Sequence, residues 1–313
     1  MQFTDSHCHL DFTEFQNEFQ PLLSQCKKNN INRIIVPSVN PEHWQRVLSL
    51  SDRLDAIQKK SVKEQLTKEK NTVKIACSLG IHPWFIILQG VLNNDKLAKI
   101  NKINQTPISN IDLEFYEQQL KQAVVKQNNN NTQNNIVAIG ECGIDVFKAK
   151  KHADSEQALT NNLNLQQAFF EMQLQIAKQN DLPVIIHHCQ SHHLILPILK
   201  KQKLSKAGVI HAFSGSYQQA KNYVDLGFKL GIGGTITYPR SKKTIDAVKR
   251  LPLSSLLLET DAPAMPPCGQ QGLVNTPLNI ITVFNVLSLI RDEPEAIIAE
   301  QIEQNVDQLF FNV

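Results

Sequence analysis

Six histidine, glutamate and aspartate side chains stand at or just beyond the ends of short apolar runs in this sequence. They are His7, His9, Glu141, His187, His211 and Asp261. Neutral imidazole and carboxylate groups together suit divalent ions such as zinc, manganese, iron or nickel, and do not suit calcium. His7 and His9 are two residues apart, so on an extended strand their side chains point to the same side and can bind one ion as a pair. These residue types predict a metal centre.

A structural explanation competes with metal binding for each histidine taken alone. A buried polar side chain at the end of a strand normally finds a hydrogen-bond partner and needs no metal ion. His187 and His211, considered singly, are explained better in this way. All six side chains, however, occupy the ends of predicted strands. A set of unrelated structural histidines would not produce that joint pattern, which favours the metal interpretation.

Eight apolar runs, separated by helix-length amphipathic segments, must position these side chains. The runs cover residues 3–8, 33–37, 74–81, 136–140, 183–188, 208–212, 228–233 and 255–260. Their aliphatic and β-branched content, with little alternation, is typical of parallel strands buried on both faces. Helices are predicted over residues 165–180, 218–226 and 277–290.

The alternation of strands and helices predicts an α/β fold, the (β/α)8 TIM barrel. A doubly wound open sheet is the alternative, and it is disfavoured because no GxGxxG motif follows the first run. In a parallel barrel the carboxyl ends of the strands meet on one face, which carries the active site. The six side chains close the first, fourth, fifth, sixth and eighth runs, so we expect them in one pocket.

Two polar segments interrupt the pattern and are interpreted as insertions within one domain spanning residues 1–313. Residues 53–72 are rich in Lys, Glu and Gln, and residues 127–135 are almost entirely Asn and Gln. A segment with so few apolar residues cannot drive packing, so the second is predicted to be a mobile surface loop before the fourth strand. Neither is a domain boundary, because strands and helices resume on the far side.

The overall charge gives little general attraction for nucleic acid. The chain has 313 residues and a formal net charge of +3. Lysine-rich stretches at residues 148–151, 200–206 and 240–243 could line a nucleic-acid path, but solvated helix faces explain such runs more often.

The cellular location is predicted from the absence of membrane-spanning and secretory patterns. No apolar stretch is long enough to span a membrane, and Met1 leads directly into the first run without a secretory pattern. The six cysteines are scattered without a CxxC pair and are expected to be reduced thiols. We therefore expect a cytoplasmic protein with no obligate protein partner.

Several motifs resemble those of the TatD family of metal-dependent hydrolases and deoxyribonucleases, a branch of the amidohydrolase-like barrels. They are DSHCHLDF at residues 5–12, GIHP at 80–83, GECGID at 140–145, PVIIH at 183–187, HAFSG at 211–215 and ETDAP at 259–263. The resemblance covers nearly the whole chain apart from the two polar segments. The order and spacing of the motifs make it specific.

The resemblance implies a site with two divalent ions, which could be Zn, Mn, Mg, Fe or Ni. By this analogy His7, His9 and Asp261 hold one ion, His187 and His211 hold the second, and Glu141 bridges them. Such a pair lowers the pKa of a bound water and stabilises charge on the attacked and leaving oxygens. Asp261 is the candidate for orienting or deprotonating that water, so Glu141 and Asp261 are the predicted catalytic residues.

Three further residues are candidates for substrate binding. His82 follows the third run and either contacts substrate or braces its loop. Ser214 and Gly215 could offer backbone N–H groups to an anionic substrate, although a plain turn explains them equally well.

Two positions depart from the family pattern. Family members commonly carry Arg two residues after the histidine matched by His187, and this chain has Cys189 there. A thiol cannot replace the paired hydrogen bonds that Arg gives to phosphate. Family members also often carry His where this chain has Trp84. Both changes leave the metal ligands intact and concern only phosphate recognition.

The favoured function is hydrolysis of phosphoester bonds, in DNA by a 3′–5′ exonuclease-like activity or in a smaller phosphorylated compound. The alternative is an amide, lactone or carboxyl-ester hydrolase of the amidohydrolase type. It is more credible because this chain has Cys189 where family members commonly have Arg. A third hypothesis is a metal-binding protein without catalysis. It predicts the loss of at least one ligand, and the sequence retains all six.

Overall fold

Eight parallel strands form one sheet in which each strand pairs with the next along the chain. The computed structural model describes residues 1–50, 73–87, 110–129 and 136–311. The strands are β1 Phe3–Asp5, β2 Ile31–Pro37, β3 Lys74–Leu79, β4 Ile136–Asp145, β5 Val184–Cys189, β6 Gly208–Ile210, β7 Lys229–Ile232 and β8 Leu256–Leu258.

The last strand returns to the first and closes the sheet into a barrel. The N–H of Ser6 donates to the carbonyl of Leu258 at 3.0 Å, and the N–H of Asp261 donates to the carbonyl of His7 at 2.9 Å. Cys8 and Ala262 form a parallel bridge just beyond. The predicted (β/α)8 barrel is therefore confirmed, and the open doubly wound sheet is excluded.

Helices surround the barrel and fill the connections between strands. They are α1 Phe19–Lys28, α2 Asn110–Asn129, α3 Val146–His152, α4 Glu156–Gln179, α5 His192–Gln202, α6 Tyr217–Val224, α7 Lys242–Arg250, α8 Ile280–Ile290 and α9 Glu295–Val306. Residues 44–50 and 83–87 are also helical, and a short π-helix covers Asp307–Phe311. Within the described ranges, no helix is long and apolar enough to cross a membrane.

Helix α4 shows how the sequence sets one of these elements. It begins because the Ser155 hydroxyl accepts the Ala158 N–H at 3.1 Å, an N-cap that the sequence prediction missed when it began the helix at residue 165. Its buried face carries amides as well as apolar groups. Gln173 accepts the Ile81 N–H at 2.7 Å, and Gln166 accepts the Asp145 N–H at 2.8 Å. The helix thereby fixes the carboxyl ends of β3 and β4.

Strand β4 is longer than predicted and runs to Asp145 instead of ending at residue 140. Glu141 consequently lies within the strand and not at its end. Gly143 permits the extension, since its φ is +145° and a Cβ there would lie 2.0 Å from the His187 carbonyl oxygen. Close approach of β4 to β5 places Glu141 beside His187.

The two polar segments fall largely outside the described residues. Residues 53–72 and 130–135 lie there, so their predicted character as insertions stays a prediction. Residues 127–129 belong to α2, and the prediction of a loop was wrong for them. An apolar face on the earlier part of the helix, including the buried Leu120 and Val124, anchors the helix to the core.

An apolar plug closes the end of the barrel away from the predicted site. Inward-facing Ile35, Ile185 and Leu257 pack with Val306 and Phe310 from the C-terminal segment. Side chains on the other face of the strands form a larger cluster with the helices. Polar side chains are thus left to gather at the carboxyl ends of the strands.

Arg33 ties this C-terminal segment to the first two strands. Its guanidinium lies 2.7 Å from Glu303, also pairs with Asp307, and donates to the Thr4 hydroxyl at 2.9 Å. Arg33→Met should lower the free energy of unfolding by about 2 kcal/mol, because Asp307 loses its ion pair and Glu303 keeps only its hydrogen bonds from Thr4 while both are half-buried. Urea titration followed by circular dichroism measures this loss.

The matched control is Lys221→Met, which removes an exposed i,i+4 pair with Asp225. Its unfolding midpoint should match that of the wild type. Equal unfolding midpoints for the Arg33 and Lys221 variants would show that the ion pairs of Arg33 do not stabilise the C-terminal segment.

Candidate metal centre

Glu141 lies at the centre of the carboxyl-end face, and three histidines surround one of its carboxylate oxygens. Its Oε1 lies 2.9 Å from His187 Nδ1, 3.1 Å from His82 Nε2 and 3.2 Å from His211 Nε2. Glu141 is only 2% exposed. These three histidines come from the ends of β3, β5 and β6, so the barrel brings together residues distant in sequence.

His7 and His9 approach the other oxygen of the same carboxylate. Glu141 Oε2 lies 3.2 Å from His7 Nε2 and 3.5 Å from His9 Nε2. Asp261 Oδ1 lies 3.6 Å from His7 Nε2 and 3.5 Å from His9 Nε2. His7 and His9 lie beyond the end of β1 at Asp5, yet their side chains point to the same side, as the sequence predicts.

The spacing of these donor atoms fits a divalent metal ion. His7 Nε2 and His9 Nε2 lie 3.3 Å apart. Nitrogen ligands at about 2.0–2.1 Å from a tetrahedral ion stand about 3.3 Å apart, so this pair matches an edge of such a site. A mixed set of imidazole and carboxylate donors suits first-row transition metals.

Among the residues that the structure describes, three sets could each hold an ion. Within each set the ligand atoms all lie within 4.8 Å of one another, and Glu141 belongs to two of the sets. The sets are His7, His9 and Glu141; His82, Glu141 and His187; and His7, His211 and Asp261.

Burial and mutual contacts set the protonation states in the cluster. Burial, together with the nearby His211, lowers the pKa of His7, and burial lowers the pKa of His82 to about 4. Burial opposes ionisation of Glu141, but the surrounding histidines outweigh it and hold its pKa well below the usual value. Burial alone would lower the pKa of the other three histidines, but the carboxylates beside them raise it, so an ion binding there would displace their protons. A neutral imidazole offers a lone pair and an ionised carboxylate offers two oxygens, which are the forms that bind metal.

The fully buried carboxylate of Asp5 joins the ends of β1 and β8. Its Oδ1 accepts the N–H groups of His7 at 3.2 Å and Thr260 at 3.0 Å, and its Oδ2 accepts the Thr260 hydroxyl at 2.6 Å. Asp261 follows at a φ of +55°, a region that costs a non-glycine residue about 1–3 kcal/mol. Asp5 therefore sets the positions of ligands on both sides of the seam.

Two more carboxylates lie beside the second ring nitrogens of His187 and His211, and neither was predicted from the sequence. Asp145 Oδ2 lies 3.2 Å from His187 Nε2, and Glu259 Oε1 lies 3.3 Å from His211 Nδ1. A carboxylate on the second nitrogen fixes the tautomer and orientation of a ligating histidine. Asp145 lies in the GECGID motif with Glu141, and Glu259 lies in the ETDAP motif with Asp261. This proximity in sequence to predicted ligands was the signal that could have identified them.

The predicted substrate-binding residues have different surroundings. His82 is 5% exposed and belongs to the cluster around Glu141, so it is placed as a potential ligand. Ser214 is exposed on the loop after β6. The N–H of Gly215 donates to the Thr244 hydroxyl at 3.2 Å and is already engaged. Substrate binding by these residues stays a prediction.

All six predicted ligands come together on one face. The predicted division of ligands between two ions also stays a prediction, since His211 groups with His7 and Asp261 while His82 groups with His187.

Asp145→Asn should weaken metal binding by about 10- to 100-fold, because His187 loses an anionic partner while the side-chain shape is kept. Competition with a chromophoric zinc chelator measures the affinity. Asp225→Asn, an exposed carboxylate paired only with Lys221 among the described residues, is the matched control. Equal zinc affinity in the two variants would contradict a role for Asp145 in orienting His187.

Comparison with known proteins agrees with the fold and with a metal-dependent family. A family model described as TatD related DNase matches residues 4–311. An uncharacterized metal-dependent hydrolase of Escherichia coli strain K12, YjjV, is 37% identical over 309 residues, covering 99% of this chain and 98% of the relative. Its crystal structure, described as a TatD homolog, superposes with a TM-score of 0.75.

Two other relatives extend the comparison. An uncharacterized metal-dependent hydrolase of Haemophilus influenzae is 34% identical, covering 99% of this chain and all of the relative. The human protein named Deoxyribonuclease TATDN3 is 26% identical, covering 98% of this chain and 93% of the relative. With a barrel closed at β8 and β1 and a histidine–carboxylate cluster on its carboxyl-end face, the chain belongs to the TatD family of metal-dependent hydrolases.

Proposed function

We propose that this chain hydrolyses phosphoester bonds, with DNA as the principal substrate class, at a site for two divalent metal ions. The observation that carries the proposal is the position of Glu141, which belongs to two ligand sets through its two oxygens. A single tetrahedral ion takes four ligands, and more donors than that surround this carboxylate. A shared carboxylate between two ions accounts for the surplus.

Bound ions would lower the pKa of a water molecule and neutralise charge on the attacked and leaving oxygens of a phosphoester. The chain supplies the acceptor for the proton of that water. Asp261 is suited to this role because its side chain is 13% exposed, against 2% for Glu141. Burial opposes its ionisation, but the hydrogen bond from His9 and the nearby His211 and His7 lower its pKa. Asp261 is therefore an ionised, reachable base.

The choice of DNA rests on the relatives. The matching family model is described as a DNase family, and the human relative is named a deoxyribonuclease. A phosphodiester also needs the charge neutralisation that two neighbouring ions provide.

Hydrolysis of carboxyl esters, lactones or amides is the second candidate. Cys189 favours it, because the side chain at the end of β5 is a half-buried thiol beside Asp145 and brings no positive charge. Such substrates carry less negative charge than DNA, and their hydrolysis should be nearly independent of salt concentration.

Purified protein should contain about two divalent ions per chain and lose activity when a chelator removes them. The activity should return when Zn, Mn, Mg, Fe or Ni is added to the metal-free protein. Metal content is measured by plasma mass spectrometry. Hydrolysis is measured on single-stranded DNA and on a panel of lactones and carboxyl esters. Undiminished DNA hydrolysis by metal-free protein would refute the proposal, and turnover of the ester panel alone would favour the second candidate.

Asp261→Asn should lower kcat by about 10²- to 10⁴-fold, because the amide cannot accept the proton of the attacking water. Metal analysis of the same sample distinguishes this loss from a loss of ions. Asp246→Asn, an exposed carboxylate on α7, should keep full activity. Near-normal turnover by the Asp261 variant with its metal still bound would exclude Asp261 as the base.

A further inference from the structure

Trp84 is held at the mouth of the metal centre by Asp145. Its indole Nε1 donates to Asp145 Oδ2 at 2.7 Å, the same oxygen that lies 3.2 Å from His187 Nε2. The Trp84 ring centroid lies 5.1 Å from that of His82 and 6.3 Å from that of His187. The indole is therefore anchored to the group that orients His187.

Although it is anchored, the Trp84 side chain is not covered. It is 46% exposed, whereas the other tryptophan, Trp44, is 7% exposed and donates to the Gly80 carbonyl. Most tryptophan side chains are buried beneath neighbouring segments, but that of Trp84 is not. An exposed and oriented aromatic face beside the reacting groups is suited to stacking on a planar ring.

Lys148 places a positive charge over one face of the Trp84 ring. Its backbone N–H donates to Asp145 Oδ1 at 2.7 Å and begins helix α3, and its Nζ lies 4.5 Å from the Trp84 ring centroid. The lysine is half-buried, and among the described residues its ammonium has no carboxylate partner within ion-pair distance. Since Cys189 on the adjacent β5 is neutral, Lys148 supplies the cation on this side of the site.

We propose that Trp84 and Lys148 form a substrate subsite for a nucleotide unit, in which the base stacks on the indole face opposite the ammonium and the ammonium binds the neighbouring phosphate. The subsite deepens the proposed function and rests on it for the nature of the substrate. Stacking on an aromatic side chain tolerates any base, so the subsite binds single-stranded DNA without sequence preference. Its position beside His82 and His187 holds the strand next to the metal centre.

The two tryptophans allow a binding test that does not depend on catalysis. A short oligothymidylate with phosphorothioate linkages is added to the metal-loaded protein. Indole fluorescence should be quenched in the wild type and unchanged in Trp84→Phe, where only the buried Trp44 remains. Inorganic phosphate should cause no such quenching because it has no ring. An unchanged wild-type signal with bound oligothymidylate would overturn the stacking role.

Lys148→Met should raise the Kd for fluorescently labelled oligothymidylate by about tenfold and make binding less dependent on salt. Lys249→Met is the matched control, since Lys249 is an exposed lysine near the C-terminal end of α7. Equal Kd values in the two variants would overturn the role of Lys148. Both substitutions are at exposed or half-buried positions, so folding is not at risk.

Steady-state kinetics separate this subsite from the proposed function. Trp84→Leu and Trp84→Phe both lose the hydrogen bond to Asp145, but only Leu loses the ring. KM for DNA should therefore rise by about tenfold from Phe to Leu with little difference in kcat. Hydrolysis of DNA with the same KM in both variants would refute the subsite and leave the proposed function standing. Quenching without hydrolysis would support the subsite and refute the proposed function.

Discussion

The Glu141 carboxylate is the group on which the rest of the site depends, because nitrogen atoms of five histidines lie within 3.5 Å of its oxygens. So many buried imidazoles cannot all be protonated, since like charges repel strongly away from water. When they are neutral, His7 Nε2 and His9 Nε2 can form only one hydrogen bond between them. Divalent cations relieve the charge repulsion by replacing protons and turning the lone pairs and both carboxylate oxygens into ligands. Metal dependence thus follows from packing one acid among these bases.

The two ends of the barrel differ chemically, and this difference allows the polar groups to gather at one end. Apolar residues and the C-terminal segment fill one end, with Arg33 holding that segment to the first strands. At the other end, carboxylates outside the six predicted ligands hold several of the side chains in place. Asp5 fixes the seam between β1 and β8, and Asp145 fixes His187. Asp145 also holds Trp84, so one carboxylate links the orientation of a predicted metal ligand, His187, to that of an exposed ring.

Much of the fold was predictable because buried parallel strands have a simple composition. Continuous aliphatic runs separated by amphipathic segments led to the barrel, and ionisable residues at the ends of runs led to the six predicted ligands. The errors have local causes. Strand β4 continues past residue 140 because Gly143 lets two backbones approach, and helix α4 begins at Glu156 because Ser155 caps it. Neither a close approach nor a cap is visible in hydrophobic periodicity.

The sequence by itself determined the fold class and the chemical type of the site, because apolar patterning and residue types are local properties of the chain. Only the tertiary structure decided which groups meet. It placed His82 among the potential ligands, put Asp145 and Glu259 behind two histidines, and engaged the Gly215 N–H with Thr244. These contacts join residues on different strands and helices, and their distances depend on how the barrel closes. The spacing of residues along the chain therefore does not predict these contacts.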